Sequence, residues 1–457
     1  MTNRFATPQP PPPPPQRAAP PSPAAAKPGV WVPPPVRSVQ ETGINMGVLA
    51  DLAAKIMYFG GYLSGHQVAD QMRLPFTGIV DNVLEQLKRE KILEVRGGSG
   101  LGAGTFEYVI TAKGIDKAQE ALARSQYAGP CPVTLEQYVA AMNAQSRARM
   151  TVHKETLDKA LAGLTVNEKM FGKIGPAVNS GKAIFMYGPP GNGKTTVAKA
   201  IGNMILGSPM WIPHAVDVDG QVIRVFDNIN HEPLPDDEEA QRKSVATGER
   251  RDARWLRIRR PVIMVGGELT MAGLDLVYDP INKYYEAPFQ MKANGGMFLI
   301  DDFGRQQVRP RDLLNRWIVP LESRVDFLTL STGRKVEIPF NVLIVFSTNM
   351  PPADLVDEAF LRRIPHKIEI GDPSHDEFRE IFKKVCEARR VPYDEKGLVY
   401  LVQEWYIKHN RNLRSVHPRD IVEQIIDIAR YLNQPPQLSK DLLDRAASAY
   451  FVDLDSY

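Results

Sequence analysis

The fold is decided by Ala183-Ile184-Phe185-Met186-Tyr187, followed by Gly188-Pro189-Pro190-Gly191-Asn192-Gly193-Lys194-Thr195 and then by TVAKAIGNMIL. Five apolar residues bounded by polar residues and glycine are typical of a buried parallel strand. The segment after the glycines repeats its apolar residues at helical spacing. A strand, a glycine-rich turn and a helix in this order predict an α/β fold with a parallel sheet flanked by helices.

The glycine-rich turn has the composition of a loop that holds phosphate groups. Glycines at these spacings let backbone N–H groups turn inward, and the following helix adds the positive end of its dipole. Lys194 is placed to reach the β and γ phosphates of a nucleotide, and the Thr195 hydroxyl is placed to ligate Mg²⁺. The pattern predicts ATP and Mg²⁺ as cofactors. The residues expected to bind them are Gly188, Pro189, Pro190, Gly191, Asn192, Gly193, Lys194, Thr195 and Thr196.

Two carboxylates follow a second apolar run. Met297-Phe298-Leu299-Ile300 leads directly into Asp301 and Asp302. A buried strand would carry both acids to the carboxyl edge of the sheet, where ligands of α/β proteins bind. Asp301 suits the Mg²⁺ shell, directly or through water, and Asp302 suits orientation or deprotonation of an attacking water. Two adjacent acids are common at turns, so by themselves they are weak evidence for a catalytic site. Their position downstream of the phosphate loop makes this evidence strong.

Further polar residues stand at the ends of later elements. The run Val342-Leu343-Ile344-Val345-Phe346 ends in Ser347-Thr348-Asn349, and the Asn349 amide is expected at the γ-phosphate or the water. Arg362 and Arg363 end a predicted helix. Four helical segments follow, near 374–389, 394–409, 418–432 and 439–450, and Arg419 begins the third. An arginine at such a helix start can swing onto a nucleotide.

These motifs make residues 182–457 resemble the AAA+ ATPases. The match is carried, in the order of that family, by GPPGNGKTT, FLIDD, FSTN, FLRRI and HPRDI, which look like the Walker A loop, Walker B strand, sensor 1, arginine finger and sensor 2. The resemblance implies ATP hydrolysis by a ring of copies of this chain, commonly a hexamer. Arg362 or Arg363 would then complete the neighbour's site. The alternative is that both arginines are solvated helix-end residues or form ion pairs.

Two inserts narrow this resemblance. Residues 322–342 are typical of a β-hairpin that turns at Ser331-Thr332-Gly333, and residues 266–302 are similar in layout to the stretch before Walker B in MoxR-type ATPases and sigma-54 activators. Both features belong to the pre-sensor-1 hairpin clade, whose inserts project toward the ring pore and touch the substrate. The GAFTGA loop of sigma-54 activators is missing, so polymerase remodelling is not implied.

The sequence departs from the family in two places. Walker B usually ends in Asp-Glu, and the shorter Asp302 side chain here is expected to slow turnover. The chain from Thr196 to Asp301 is also longer than usual, because of an insert at about 208–262. This insert contains a predicted hairpin around Asp219-Gly220, the acidic run 236–239 and the basic run 249–260. The basic run suits either a grip on nucleic acid or an acidic partner, or a subunit contact.

The N-terminal half predicts a second domain. Residues 41–127 read as three helices, a hairpin of strands at 92–98 and 106–111, and a closing helix from about Lys113, which resembles a winged helix. The stretch that would read DNA, PFTGIVDNV, carries no basic residue, and the domain has nine Lys/Arg against ten Asp/Glu. A protein-docking role is therefore favoured over DNA reading, and nucleic acid stays as the less favoured partner.

The remaining segments complete the predicted domain organisation. Residues 1–38 hold 14 of the 38 prolines and predict an extended arm, either a spacer or a ligand for an aromatic groove. Residues 128–175 predict a helical connector. The expected units are therefore the arm 1–38, the winged-helix-like domain 41–127, the connector 128–175, the ATPase core 176–372 and the helical lid 373–457.

Bulk composition excludes several classes of protein. The net charge of +3 argues against a globally basic nucleic-acid coat. The cysteines Cys131 and Cys386 are too far apart for a zinc motif or a disulfide framework. No apolar run approaches the roughly 18–20 residues of a membrane helix, and the start is unlike a secretory signal. The expected location is the cytoplasm, without membrane insertion.

Three functions fit these observations. The first is an ATP-driven remodelling or chaperone-type ATPase acting on a protein client, and the neutral winged-helix-like domain favours it. The second is a DNA-associated motor or regulator. The third is a scaffold that assembles with ATP and barely hydrolyses it. The aspartate at position 302 is compatible with this function.

Overall fold

The computed structural model describes residues 31–98, 103–146, 152–165, 168–206, 209–235, 251–355 and 358–451. Most of the predicted arm, the glycine-rich tip at 99–102, the acidic run at 236–239 and the first two residues of the basic run lie outside them. None of the helices in these ranges is long and apolar enough to cross a membrane.

The described strands form one parallel and several antiparallel or mixed sheets. In chain order they are β1 (Tyr62–Ser64), β2 (Leu93–Gly98), β3 (Phe106–Ile110), β4 (Val133–Thr134), β5 (Ile184–Tyr187), β6 (Pro209–Pro213), β7 (Ala215–Val218), β8 (Gln221–Arg224), β9 (Trp255–Arg259), β10 (Val262–Val265), β11 (Val277–Asp279), β12 (Tyr284–Glu286), β13 (Met297–Ile300), β14 (Val325–Thr329), β15 (Lys335–Pro339), β16 (Leu343–Thr348) and β17 (His366–Glu369).

The described α-helices flank these sheets and make up the C-terminal region. In chain order they are α1 (Val39–Thr42), α2 (Met46–Gly60), α3 (Gly65–Met72), α4 (Asp81–Arg89), α5 (Ala112–Arg124), α6 (Leu135–Ser146), α7 (Lys154–Leu161), α8 (Glu168–Ser180), α9 (Lys194–Leu206), α10 (Phe289–Lys292), α11 (Pro310–Arg316), α12 (Ile318–Ser323), α13 (Pro352–Leu355), α14 (Glu358–Leu361), α15 (His375–Arg389), α16 (Glu395–Leu401), α17 (His417–Tyr431) and α18 (Lys440–Tyr450).

The central sheet has five parallel strands in the order β10-β13-β16-β5-β17. Alternate residues of its strands belong to two different apolar cores. Phe185, Phe298 and Phe346 pack on one face around Trp317, while Met186 and Val345 pack on the other with α7, α8 and α9. Burial of both faces explains why these strands are continuous apolar runs. The predicted fold class, a parallel sheet flanked by helices with a helical C-terminal region, is confirmed.

The N-terminal elements pack around one apolar core. Helices α2, α3 and α4 and the closing helix α5 follow one another in the predicted order, and α5 begins at Ala112, one residue before the predicted start. The sheet is antiparallel with the order β1-β3-β2, and its first strand was not predicted. Three residues are too few to show an alternating pattern. The name winged helix for this unit stays an interpretation.

Strands β7 and β8 of the insert after α9 lie in a mixed sheet, the insert sheet, with the order β11-β12-β8-β7-β4. Its other strands come from the connector (β4) and from residues 277–286 (β11 and β12). The predicted hairpin is present, since β7 and β8 pair through the two-residue turn Asp219-Gly220, with φ of 52° and 81°. Positive φ at both positions is the geometry of a type I′ turn. Helix α6 of the predicted connector packs into this insert, whereas α7 and α8 pack against the central sheet. Helix α8 also crosses the predicted boundary at 175.

The second predicted hairpin is also present, formed by β14 and β15. Its buried side chains, Leu328 and Val336 among them, share a core with the insert sheet. At its turn, the Ser331 N–H donates to the Tyr285 hydroxyl at 2.9 Å. The hairpin is therefore anchored on the insert along one face, and the exposed Phe327 lies on the other.

The structure describes residues 251–260 of the basic run, for which a grip on nucleic acid or an acidic partner and a subunit contact were both predicted. Trp255 is buried against Trp31, so its ring is not available for stacking. The described arginines have contacts inside the chain: Arg254 is buried on Asp252, Arg257 donates to the Pro235 carbonyl, Arg259 pairs with Glu232, Arg260 donates to the Gly295 carbonyl, and Arg251 lies over the Trp211 ring. The Arg259 side chain stays 47% exposed, so part of this charge remains at the surface.

The C-terminal helices α15 to α18 form a separate apolar core. Their bounds agree with the prediction, except that the second segment changes at Val402 from α-helical to π-type hydrogen bonding. Because these helices follow β17 directly, the residues between Glu369 and Ser374 form the junction of the sheet with the helical lid.

Candidate functional site

The glycine-rich loop adopts backbone conformations that few side chains allow. Gly188, Gly191 and Gly193 have φ of 143°, 81° and 84°, values in the region that glycine populates without a steric penalty. A Cβ on Gly188 would lie 2.1 Å from the Ile370 carbonyl oxygen. A Cβ on Gly191 would lie 2.8 Å from Val416 in the lid. The glycines therefore serve both the curvature of the loop and the close approach of two other segments.

Lys194 is folded onto the loop that precedes it. Its ammonium donates to the Gly188 carbonyl at 2.9 Å and to the Pro189 carbonyl at 2.8 Å, and the residue is only 6% exposed. Burial lowers the pKa of Lys194, and the nearby Asp301 and Asp302 act in the opposite direction. The ammonium thus lies among loop carbonyls and carboxylates, where a phosphate oxygen is a stronger partner.

Thr195 and Asp301, the two residues predicted to ligate Mg²⁺, lie together. The Thr195 hydroxyl donates to Asp301 Oδ2 at 2.8 Å, across 106 positions of the chain. Among the described residues, no group of three or more His, Cys, Asp or Glu is arranged to hold a metal. Mg²⁺ characteristically binds through one or two protein oxygens together with water and substrate phosphates. A hydroxyl and a carboxylate beside a phosphate loop therefore fit Mg²⁺.

Asp302 and Asn349 also lie together. The Asn349 amide donates to Asp302 Oδ1 at 3.3 Å. Their strand ends are joined by the Phe303 N–H, which donates to the Ser347 carbonyl at 2.7 Å. The Thr348 hydroxyl donates to the Phe303 carbonyl at 2.6 Å. Because β13 and β16 are adjacent and parallel, their polar ends meet at the carboxyl edge of the sheet.

A pocket of about 410 Å³ opens beside the loop. Thr196 lines it together with the three residues Gly191, Asn192 and Gly193. Its other walls are mostly apolar. They come from the connector (Leu164 and Met170), from the end of the central sheet (Ile370) and from the lid (Ile381, Val385 and Val416). An apolar pocket next to a polar loop suits a flat base attached to phosphates. These apolar residues could not be predicted from sequence patterns, since they look like ordinary core positions.

The predicted arginines are placed differently from one another. Arg419 lines the pocket, and its guanidinium donates to the Asp420 carboxylate at 2.9 Å. Arg362 forms an ion pair with Glu358 one helical turn earlier, and Arg363 forms one with Glu322. Arg362 and Arg363 thus have carboxylate partners outside the phosphate loop of their own chain.

Three residues at the loop were not predicted. Asp372 accepts from the Asn192 amide at 2.7 Å and is also paired with Arg414. The Ser415 N–H donates to Asn192 Oδ1 at 3.1 Å. Asp372 lies three residues after β17, and β17 has a single apolar residue, so no apolar run predicts it as a strand.

Comparison with protein families matches the lid alone. A domain of unknown function (DUF8689) matches residues 374–449, which include most of helices α15 to α18. Comparison with curated protein sequences found no match.

Solved structures match a larger part of the chain at low similarity. NtrX from Brucella abortus in complex with ADP aligns with 14% identity and a TM-score of 0.37, over 72% of this chain and 65% of that one. A RuvB point mutant from Thermotoga maritima aligns with 13% identity and a TM-score of 0.34, over 70% and 73%. This chain therefore spans slightly less than two thirds of the NtrX chain. At this level of likeness we infer nothing about its activity from these proteins.

Proposed function

We propose that this chain binds ATP with Mg²⁺, hydrolyses the ATP, and works as a subunit of an AAA+ ring, commonly a hexamer, that remodels a protein client in the cytoplasm. The observation that carries the proposal is the meeting of four side chains at one edge of the central sheet. Thr195 contacts Asp301, and Asn349 contacts Asp302, both beside the phosphate loop.

The phosphates would be held by the loop and the start of α9. Backbone N–H groups at this helix start and the positive end of the helix dipole attract anions. Lys194 would exchange its carbonyl partners, Gly188 and Pro189, for β and γ phosphate oxygens. This exchange is favourable because a charged acceptor strengthens a hydrogen bond from an ammonium.

The metal ion would be held by Thr195 and Asp301. When bound, Mg²⁺ neutralises charge on the phosphate oxygens. Asp302 would orient or deprotonate the attacking water, and the amide of Asn349 would hold the Asp302 carboxylate in position. Arg362 or Arg363 of a neighbouring subunit would stabilise the charge that develops on the transferred phosphoryl group.

Calorimetry with ATP and Mg²⁺ tests the nucleotide site. Lys194→Ala should abolish binding, while Lys199→Ala, on the exposed side of the same helix, should bind as the wild type does. Hydrolysis is supported if the wild-type protein releases phosphate from ATP and the Lys194→Ala variant does not. Normal ATP affinity in Lys194→Ala would exclude the phosphate-loop interpretation.

The protein client is supported by charge. The N-terminal unit carries balanced charge and an exposed aromatic residue, Phe59, at the end of α2. The described basic run of the insert is paired internally. The decisive measurement is the ATPase rate with and without single- and double-stranded DNA. Stimulation by DNA that weakens as salt rises would overturn the protein client in favour of a DNA-associated motor.

A further inference from the structure

The lid is hydrogen-bonded directly to the phosphate loop. The Val416 N–H donates to the Gly191 carbonyl at 2.8 Å, and the Ser415 N–H donates to Asn192 Oδ1 at 3.1 Å. Asn192 is 6% exposed, so its amide needs partners for both its oxygen and its nitrogen. One of those partners is the lid backbone.

The other partner of Asn192 lies at the junction between sheet and lid. The Asn192 Nδ2 donates to Asp372 Oδ1 at 2.7 Å. Asp372 stands two residues after Ile370, whose N–H donates to the Tyr187 carbonyl at 2.8 Å and so extends the pairing of β17 with β5. It also stands two residues before Ser374, which caps the first lid helix. Its carboxylate therefore marks the point where the lid leaves the sheet.

The same carboxylate oxygen is paired with a lid cation, Arg414. Both side chains of this pair are partly buried, with 22% of Arg414 and 30% of Asp372 exposed. Loop, junction and lid are thus joined in a closed set of contacts through Asn192, Asp372 and the segment Arg414–Val416. Partial burial makes the Arg414–Asp372 pair stronger than an exposed ion pair, because water and salt screen it less.

We infer that Asn192, Asp372 and Arg414 form a latch that holds the lid on the phosphate loop and sets how long a nucleotide stays bound. The inference rests on the proposed function, since it concerns the same pocket. Loop residues line one side of that pocket, and lid residues such as Val385 and Val416 line another. A nucleotide seated there leaves when the lid moves away, and that movement breaks the latch.

The three latch residues are positioning residues, and we expect their substitution to change the rate at which the nucleotide dissociates. Removing the charge of Asp372 or Arg414 weakens the closed lid but leaves the loop that first captures phosphate. Changes within one binding interface act mostly on dissociation. Loss of one charge-assisted hydrogen bond corresponds to about a tenfold faster release.

The test is stopped-flow measurement of the release of fluorescently labelled ADP from Asp372→Asn, Arg414→Gln and the double variant of the full chain. Each single variant should release ADP about tenfold faster, with association within about twofold of wild type. The double variant should be no faster than either single variant, because the two residues act as one unit. Arg389→Gln, which breaks the exposed Arg389–Glu423 pair in the same lid, is the matched control and should release ADP at the wild-type rate.

A second measurement needs no nucleotide. Amide hydrogen exchange at Ser415 and Val416 should be faster in Asp372→Asn than in wild type, while exchange in β5 stays unchanged. Unchanged exchange there, unchanged ADP release, or additive effects in the double variant would each overturn the latch. Wild-type protein that binds no labelled ADP would instead overturn the proposed function, and the exchange result would still judge the latch.

Discussion

At the scale of single residues, the backbone suits an aspartate at position 302, where the AAA+ pattern that this sequence resembles has a glutamate. Asp302 has a φ of 49°, in the left-handed region. Asp and Asn are several-fold enriched there among non-glycine residues. The side chain is held by the Asn349 amide. An aspartate is therefore compatible with the turn that follows β13.

Asp302→Asn should separate ATP binding from hydrolysis. The amide keeps the size and the preference for this turn but cannot accept a proton from water, so we expect about 10²–10⁴-fold slower turnover. ATP affinity should stay near that of the wild type. Phosphate release and calorimetry measure the two quantities, and Asp354→Asn on the exposed part of α13 is the control. Wild-type turnover in Asp302→Asn would exclude the role given to Asp302.

His417 predicts how stability depends on pH. Its ring is partly buried with Nδ1 at 3.0 Å from the Tyr406 hydroxyl, and burial, with help from Arg414, lowers the pKa of His417 to about 4. Asp420 and Asp372 oppose the shift. The unfolded chain therefore binds more protons between pH 6.5 and 4, so this contribution to stability is lost as pH falls through that window.

His417→Gln should make this loss smaller. Glutamine keeps a polar partner for Tyr406 but does not titrate, so the variant should lose less stability between pH 6.5 and 4.5, by on the order of 2 kcal/mol after solvent screening. Urea unfolding at a series of pH values measures it, with His409→Gln on the exposed lid surface as control. Parallel pH profiles for wild type and His417→Gln would contradict the prediction. Burial also lowers the pKa of His214 to about 4, so part of the wild-type slope should remain.

At the scale of elements, one buried arginine of the insert, Arg254, is paired with Asp252 and joins the insert to the N-terminal unit and the connector. Arg254 and Asp252 are 0% and 3% exposed. The Arg254 guanidinium also donates to the Thr42 carbonyl at 3.0 Å and to the Pro132 carbonyl at 3.1 Å. A single side chain thus connects the end of α1, the approach to β4 and the start of β9.

Arg254→Ala should therefore be strongly destabilising. It leaves a buried carboxylate and two carbonyls without their donor, a change that typically costs about 3–5 kcal/mol. Thermal unfolding is the measurement. Arg259→Ala, which removes an exposed pair with Glu232, should cost about 1 kcal/mol or less. Equal losses of stability in the two variants would show that the buried pair stabilises the fold no more than the exposed pair does.

Some strands of the central sheet could be predicted from the sequence and others could not. The three inner strands of the central sheet, β5, β13 and β16, were predicted because each is an apolar run that is almost completely buried. The edge strands β10 and β17 were not predicted. Residues of both are exposed, and only one residue of His366–Glu369 is apolar. Missing β17 also meant missing Asp372. The hairpins β7–β8 and β14–β15 were predicted, since turn residues such as Asp219 and Gly220 act locally.

At the scale of the whole molecule, the proposed ring depends on arginines that contact a neighbour. The Arg362 side chain is 76% exposed and pairs with Glu358, which is itself exposed. Such a pair contributes little stability and is easily exchanged for a phosphate of another subunit. Arg363 is less exposed and pairs with Glu322 at the foot of the β14–β15 hairpin.

Arg362→Ala with Arg363→Ala should abolish hydrolysis but not ATP binding. Mixing this variant with Asp302→Asn should restore part of the activity, because about a quarter of the interfaces in a randomly mixed ring combine an intact Asp302 with intact arginines. Phosphate release from the 1:1 mixture is the measurement, and each variant alone is the control. Absence of any recovery, with the rings shown intact by light scattering, would remove the role of these arginines between subunits.

The sequence by itself determined the phosphate loop, its strand and helix, the two acids and the asparagine, because those features depend on local backbone geometry and on residue types at strand ends. Tertiary structure alone decided their partners. It brought Thr195 to Asp301 and Asn349 to Asp302, buried Arg254 against the Thr42 and Pro132 carbonyls, and brought Asp372 to both Asn192 and Arg414. Such contacts join segments up to 223 positions apart, and strand order and lid position set them rather than any local pattern.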